Sequence, residues 1–193
     1  MNVYDPYPDS ITISGETTRL NLAYDRVLRA LDVQDMDELL PEDRIELQCE
    51  LLLADDEKIP ETTVEQAELL VEIFRMIFPP QEQQNPSKEK YVDFHQDAGM
   101  IRSAFFRIGV DLTREPIHFM QFMELLKDLP SDTALMRTIE IRMRPVPKFD
   151  GHNQEQIDAI LKAKQRVALK MTDEERMAKF AASLKNSNLL KGR

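Results

Sequence analysis

The sequence predicts a mainly α-helical protein, a helical bundle of about seven to eight helices with a small N-terminal β-hairpin. Three observations carry this expectation. Apolar residues recur at steps of three and four through most of the 193 residues, whereas two-residue alternation is confined to the stretch before Tyr24. Five glycines are too few for a fold full of tight turns. Ten methionines against four tyrosines and no tryptophan lean the same way. A chain of this length buries roughly 70% of its unfolded surface, so it needs no disulfide or metal staple.

Residues 1–9 contain Pro6 and Pro8 and should be irregular. Ile11-Thr12-Ile13 alternates before Ser14-Gly15-Glu16, and Arg19-Leu20-Asn21-Leu22 alternates after it, which reads as a hairpin with Gly15 near the turn. From Tyr24 the period changes, and Val27, Leu28 and Leu31 share a helical stripe. Pro41 can open a second helix at its first position, with Ile45, Leu47, Leu51 and Leu52 following and an end near Asp55-Asp56. Thr62 or Thr63 can cap a third, with Glu65 or Gln66 three residues on. Its apolar positions are Val64, Ala67, Leu70, Val71, Phe74 and Ile77 or Phe78, and Pro79-Pro80 stops it.

Beyond residues 79–90 (PPQEQQNPSKEK), a fourth helix is marked by Phe94, Ala98, Ile101, Phe105 and Ile108, closed by Gly109 as a left-handed cap. Pro116 can open a fifth, wide in apolar surface and ended by Pro130. Ser131 or Asp132 can cap a sixth, with Leu135, Ile139 and Met143 aligned and Pro145-Val-Pro147 interrupting it. Ile157, Ile160 or Leu161, and Val167 or Ala168 mark a seventh among Lys162, Lys164, Arg166 and Lys170. Thr172-Asp-Glu-Glu175 reads as a capping box for a last helix through Leu184, before a frayed tail.

Four regions follow: 1–78, the hairpin and acidic helices; 79–92, a linker or long loop; 93–147, a Met/Phe-rich helical core; and 148–193, a basic C-terminal helical arm. Charge changes sign across the linker. Residues 1–98 carry 23 acids and 8 bases, residues 99–193 carry 12 acids and 17 bases, and the whole chain stands at −10. Such asymmetry marks an interaction surface or mutually attracting halves; the plainer reading is that acidic helices keep an assembly-prone protein soluble.

Catalytic signatures are absent from the sequence. His95, His118 and His152 lie 23 and 34 residues apart, with no metal-ligand spacing, so no metal or cofactor is expected. The acid pairs Asp55-Asp56 and Glu174-Glu175 sit at helix ends, where capping explains them. Cys49 has acidic neighbours that raise its thiol pKa, and a single thiol cannot form an internal bridge, which fits a reducing cytosol. The basic C-terminal cluster could touch phosphates, but the chain is acidic and only Phe180 in the last forty residues could stack on a base. The most apolar run, Leu69 to Phe78, is too short and too charged to span a membrane. What remains is Ile117-His-Phe-Met-Gln-Phe-Met123, which is either a central core helix or a helix with one Met-rich edge facing a partner.

The run Asp97-Ala-Gly-Met-Ile-Arg-Ser-Ala-Phe-Phe-Arg-Ile-Gly-Val-Asp-Leu112 is followed by Ile117-His118-Phe119-Met120-Gln121-Phe122, Leu125-Leu126-x-x-Leu129 and Thr138-Ile-Glu-Ile-Arg142. This order, with the hairpin and short helix from Ile11 to Leu31, resembles the gene-product-fifteen family of long-tailed bacteriophages of Gram-positive bacteria, over most of residues 10–170. That family has a helix ending in Tyr/Phe-Gly-Ile-Asp-Leu, a His-Trp-Trp-x-Phe helix and a later Ile-x-x-Arg helix. Here Phe119 and Met120 replace the paired tryptophans and Ile108 the tyrosine; His118, Phe122 and Arg142 match best.

The resemblance implies a non-enzymatic tail assembly chaperone that coats the tape-measure protein during tail morphogenesis, with the tail-tube protein as a further partner. It implies a homo-oligomer acting in the host cell cytoplasm and absent from the mature virion, without nucleic acid or membrane. The alternative is a structural virion component, a tail or connector subunit. The expected partner-binding residues are His118, Phe119, Met120, Phe122, Met123 and Arg142.

Overall fold

The computed structural model describes residues 4–79, 90–114 and 116–170. Among the described residues, seven helices follow a two-stranded antiparallel hairpin, so the protein is mainly α with a small N-terminal hairpin. The chain divides into two compact units, Met1–Pro86 with Phe105–Leu129, and Ser87–Ala104 with Pro130–Arg193.

In the first unit, β1 (Ser10–Ile13) pairs with β2 (Glu16–Arg19) in the register Ile13↔Glu16 to Ser10↔Arg19. Ser14 and Gly15 turn the chain with φ of 53° and 89°. Positive φ at both central residues is the two-residue turn whose twist matches the strands. Beyond β2 the chain runs on extended, and Leu20 and Leu22 fall on one side and are both buried. The Asn21 N–H donates to Leu52 O (2.8 Å) and the Ala54 N–H to Arg19 O (3.1 Å), which stitches the hairpin to the end of the second helix.

Helix α1 (Tyr24–Gln34) buries Val27, Ala30 and Val33, while Leu28 and Leu31 of the expected stripe are half-buried. Helix α2 (Pro41–Leu52) opens with proline as expected, since a first-turn residue has no intrahelical acceptor for its missing N–H. It buries Gln48, whose Nε2 donates to Ala30 O at 2.7 Å, and Cys49, whose thiol burial and the nearby Glu46 push up to about 11. Helix α3 (Thr63–Ile77) begins with the expected capping box: the Glu65 N–H donates to Thr62 Oγ1, and the Glu65 carboxylate accepts from the Thr62 N–H.

The buried face of α3 differs from the expected one. Leu69, Leu70, Ile73 and Ile77 are buried together with Gln66, which donates to Pro60 O (2.8 Å); Val64 and Val71 are 68% and 54% exposed. Both sides of this helix are apolar, and α2, packed against it, covers only one of them.

Helix α4 (Ala98–Arg107) starts later than the expected Phe94. Asp93 forms a turn ahead of it, accepting from the His95 and Gln96 N–H groups at 2.9 and 2.8 Å. Its C-terminus closes as expected at Gly109 (φ 88°), with the Gly109 N–H on Phe106 O and the Val110 N–H on Phe105 O, both at 3.0 Å. These two bonds satisfy last-turn carbonyls, which a left-handed residue permits. Helix α5 (Phe119–Lys127) also starts late, because Pro116 and Ile117 are extended: the Tyr24 N–H donates to Ile117 O and the Phe119 N–H to Leu22 O.

In the second unit, helix α6 (Ala134–Met143) is capped by Thr133, not by Ser131 or Asp132; Thr133 is buried and accepts from the Met136 N–H at 3.2 Å. Helix α7 (Gln154–Arg166) packs against α6 and half-buries Ile157 and Ile160. The expected last helix from Thr172 and residues 80–89 of the expected linker lie outside the described residues. The compact units also cut the chain elsewhere than the expected regions do. Phe105–Leu129 packs with the N-terminal helices because Phe105, Phe119 and Phe122 fill their core.

Candidate partner-binding site

Five of the six expected partner-binding residues lie on or next to α5, and the fold uses them unequally. Phe119 and Phe122 are buried. The Phe122 ring stacks on Tyr24 and on Phe105, each at a centroid distance of 5.0 Å, and Phe119 meets the edge of Phe78 at 5.4 Å. Offset and edge-on arrangements at such distances are the favourable ones for aromatic rings. These side chains form the first unit's core, so a partner can touch neither without opening it. Met120 and Met123 are half-buried.

His118 works at the helix start. Its Nδ1 accepts from the Met120 N–H at 3.1 Å, which leaves Nε2 to donate to Pro8 O at 3.0 Å. Tyr7 stacks on the imidazole at 5.0 Å and donates its hydroxyl to the Glu124 carboxylate at 2.6 Å. The strap of residues 7–9 is thus tied to α5. Burial lowers the His118 pKa below its ordinary 6.5, against the opposing pull of Pro8 O and the Asp9 carboxylate. The Glu124 carboxylate raises the Tyr7 phenol pKa in turn.

Arg142 belongs to the second unit and is also internal, its side chain 9% exposed and that of its partner Asp97 2%. It grips both Asp97 oxygens, Nη1 to Oδ2 at 2.6 Å and Nη2 to Oδ1 at 2.9 Å. Nη1 also donates to Tyr91 O (2.8 Å) and Nε to Val167 O (2.7 Å). The guanidinium thereby ties the segment before α4, helix α6 and the end of α7 into one clasp, and Lys164 Nζ on Arg142 O reinforces it at 2.8 Å. Burial works to raise the Asp97 carboxyl, but the guanidinium and the Asp93 N–H outweigh it and hold it below its ordinary value.

Of the acid pairs singled out from sequence, Asp55-Asp56 is tied up in ion pairs, and Glu174-Glu175 lies outside the described residues. Asp55 pairs with Arg26 at 2.7 Å, while Arg19 bridges Asp56 and Glu57, so these carboxylates fasten the loop after α2 to α1 and β2. Among the described residues, no group of three His, Cys, Asp or Glu is placed to hold a metal ion, and no helix is long and apolar enough to cross a membrane.

Apolar surface is open elsewhere. In the first unit a groove of about 650 Å³ has Ile13, Ile45, Val64, Ala67 and Val71 as its apolar lining, with Glu68 and Glu72 beside them. In the second unit a smaller one of about 450 Å³ follows α6, with Met136, Ile139 and Met143 along it. Periodicity did mark Val64, Ala67 and Val71, but in one set with Leu70 and Ile77, which are buried. Residue type does not separate the two faces of α3, since the polar Gln66 lies on the side that becomes buried.

No curated protein and no solved structure gives a significant match to this chain. The model of the family described as Bacteriophage Gp15 protein, by contrast, matches residues 3–169, a span that takes in the hairpin and all seven helices. With nearly the whole described chain inside one family model, the protein belongs to the bacteriophage Gp15 family.

Proposed function

We propose that this member of a phage structural and assembly family is a non-enzymatic tail assembly chaperone that binds the tape-measure protein while the tail is built. The observation that carries the reading is the family match over residues 3–169. The surface is compatible with it. A chaperone for a long helical cargo has to offer apolar contact while staying soluble, and here open apolar grooves accompany a chain charge of −10. On this reading the tail-tube protein is a further partner and the chaperone self-associates. It works in the host cytoplasm, needs neither cofactor nor nucleic acid nor membrane, and leaves before the particle is complete.

Co-expression with the tape-measure protein of the same phage is the direct test. The cargo should become soluble and co-purify with the chaperone, and mass spectrometry of finished particles should find the chaperone missing. Cargo that stays insoluble beside abundant chaperone would sink the proposal. Stoichiometric recovery of the protein from finished particles would make it a tail or connector subunit instead.

A further inference from the structure

The apolar groove of the first unit has a chemistry that selects its occupant. Its lining comes from the exposed side of α3 (Val64, Ala67 and Val71, spaced over two turns), with Ile13 at the end of β1 and Ile45 on α2. Residues at steps of three and four form a ridge of the kind that packs against another helix, and about two turns of a partner helix match that length. The two helices that border the groove are strongly acidic. Together α2 and α3 carry seven carboxylates, Glu68 and Glu72 among those at the groove, against two arginines. Both arginines are engaged: Arg44 donates to Leu39 O and Gln34 O, and Arg75 pairs with Glu72.

We propose that this groove binds an amphipathic helix of the cargo whose aliphatic ridge is edged by lysine and arginine. The assignment rests on the chaperone reading above and names the part of the tape-measure protein that this unit holds. Charge excludes α2 or α3 of a second copy, which would bring the same carboxylates to the groove. The C-terminal run of a second copy, with three acids against five bases over residues 171–193, is the competing occupant that the test below separates. Apolar contact supplies the affinity, while the acidic border steers approach and rejects acidic helices.

Two variants of the full-length chain test this, V64E/V71E for the apolar contact and Glu68→Lys for the border. Both alter exposed side chains, so melting temperature and circular dichroism should match those of the parent. The probes are the co-expressed tape-measure protein and fluorescent peptides of about 25 residues tiling it. The parent should prefer basic amphipathic peptides, V64E/V71E should bind them about tenfold or more weakly, and Glu68→Lys should weaken binding at low salt but not at high salt. If the parent retains cargo and both variants retain it equally, the groove assignment is wrong and the chaperone reading stands. A parent that holds no cargo overturns both. If V64E/V71E instead dissociates an oligomer of the chain alone and leaves cargo binding intact, the groove is a self-interface and the assignment fails.

Discussion

His118 shows how one residue couples a helix start to a distant strap. With Nδ1 accepting from Met120 and Nε2 donating to Pro8 O, only the neutral ring satisfies both partners. Its folded pKa lies below the ordinary 6.5, so the unfolded chain takes up the proton first as pH falls. The stabilisation is therefore full above that value and declines as pH drops below it, towards the folded pKa. Asp9 opposes the loss by favouring the imidazolium, and Glu124 on α5 accepts from Tyr7, whose ring stacks on His118. His118→Asn keeps an acceptor at the cap without the titration. Between about pH 7.5 and 5.5 the parent's melting temperature should fall more steeply than the variant's, and parallel curves would remove His118 as the source.

Helix α3 has two apolar sides and a capping box at its start. Thr62→Ala deletes the acceptor of the Glu65 N–H and should cost about 0.5–2 kcal/mol in urea unfolding. Ile73, fully buried, should cost about 2–5 kcal/mol on truncation to Ala. Val71→Ser on the opposite side should stay within about 0.5 kcal/mol. Equal losses for Ile73 and Val71 would mean that both sides are covered in solution. Local rules are legible in the residue order alone: a capping box at Thr62 or Thr63, of which the structure uses Thr62, Pro41 at the start of α2, Gly15 in the hairpin turn and Gly109 behind α4. The starts of α5 and α6 are not, because Ile117 O serves the Tyr24 N–H, and Thr133 rather than its exposed neighbours takes the cap.

Across the molecule, the two compact units have centres of different kinds. The first is held by stacked rings, Tyr24, Phe105, Phe119 and Phe122; the second is held by the Arg142–Asp97 clasp. Arg142→Met would leave the Asp97 carboxylate buried without its counter-ion, which costs about 3–5 kcal/mol where such a pair is broken from one side. Hydrogen exchange should then rise in α6 and α7 and stay unchanged in α1, α2 and α3. A uniform rise would show that the chain opens as a single cooperative unit. His118, Phe122 and Arg142 thus serve the fold of this chain, as a half-buried cap, a core ring and a buried ion pair.

The sequence by itself determined the helical class, the hairpin, most of the helices and the family, because capping, turn dihedrals and periodicity depend on residues a few positions apart. It also marked every apolar stretch that matters. Only the tertiary structure decided which stretches are buried. It put Phe119 and Phe122 inside and left Val64, Ala67 and Val71 lining a groove, because a helix with two apolar sides buries the one its neighbours reach.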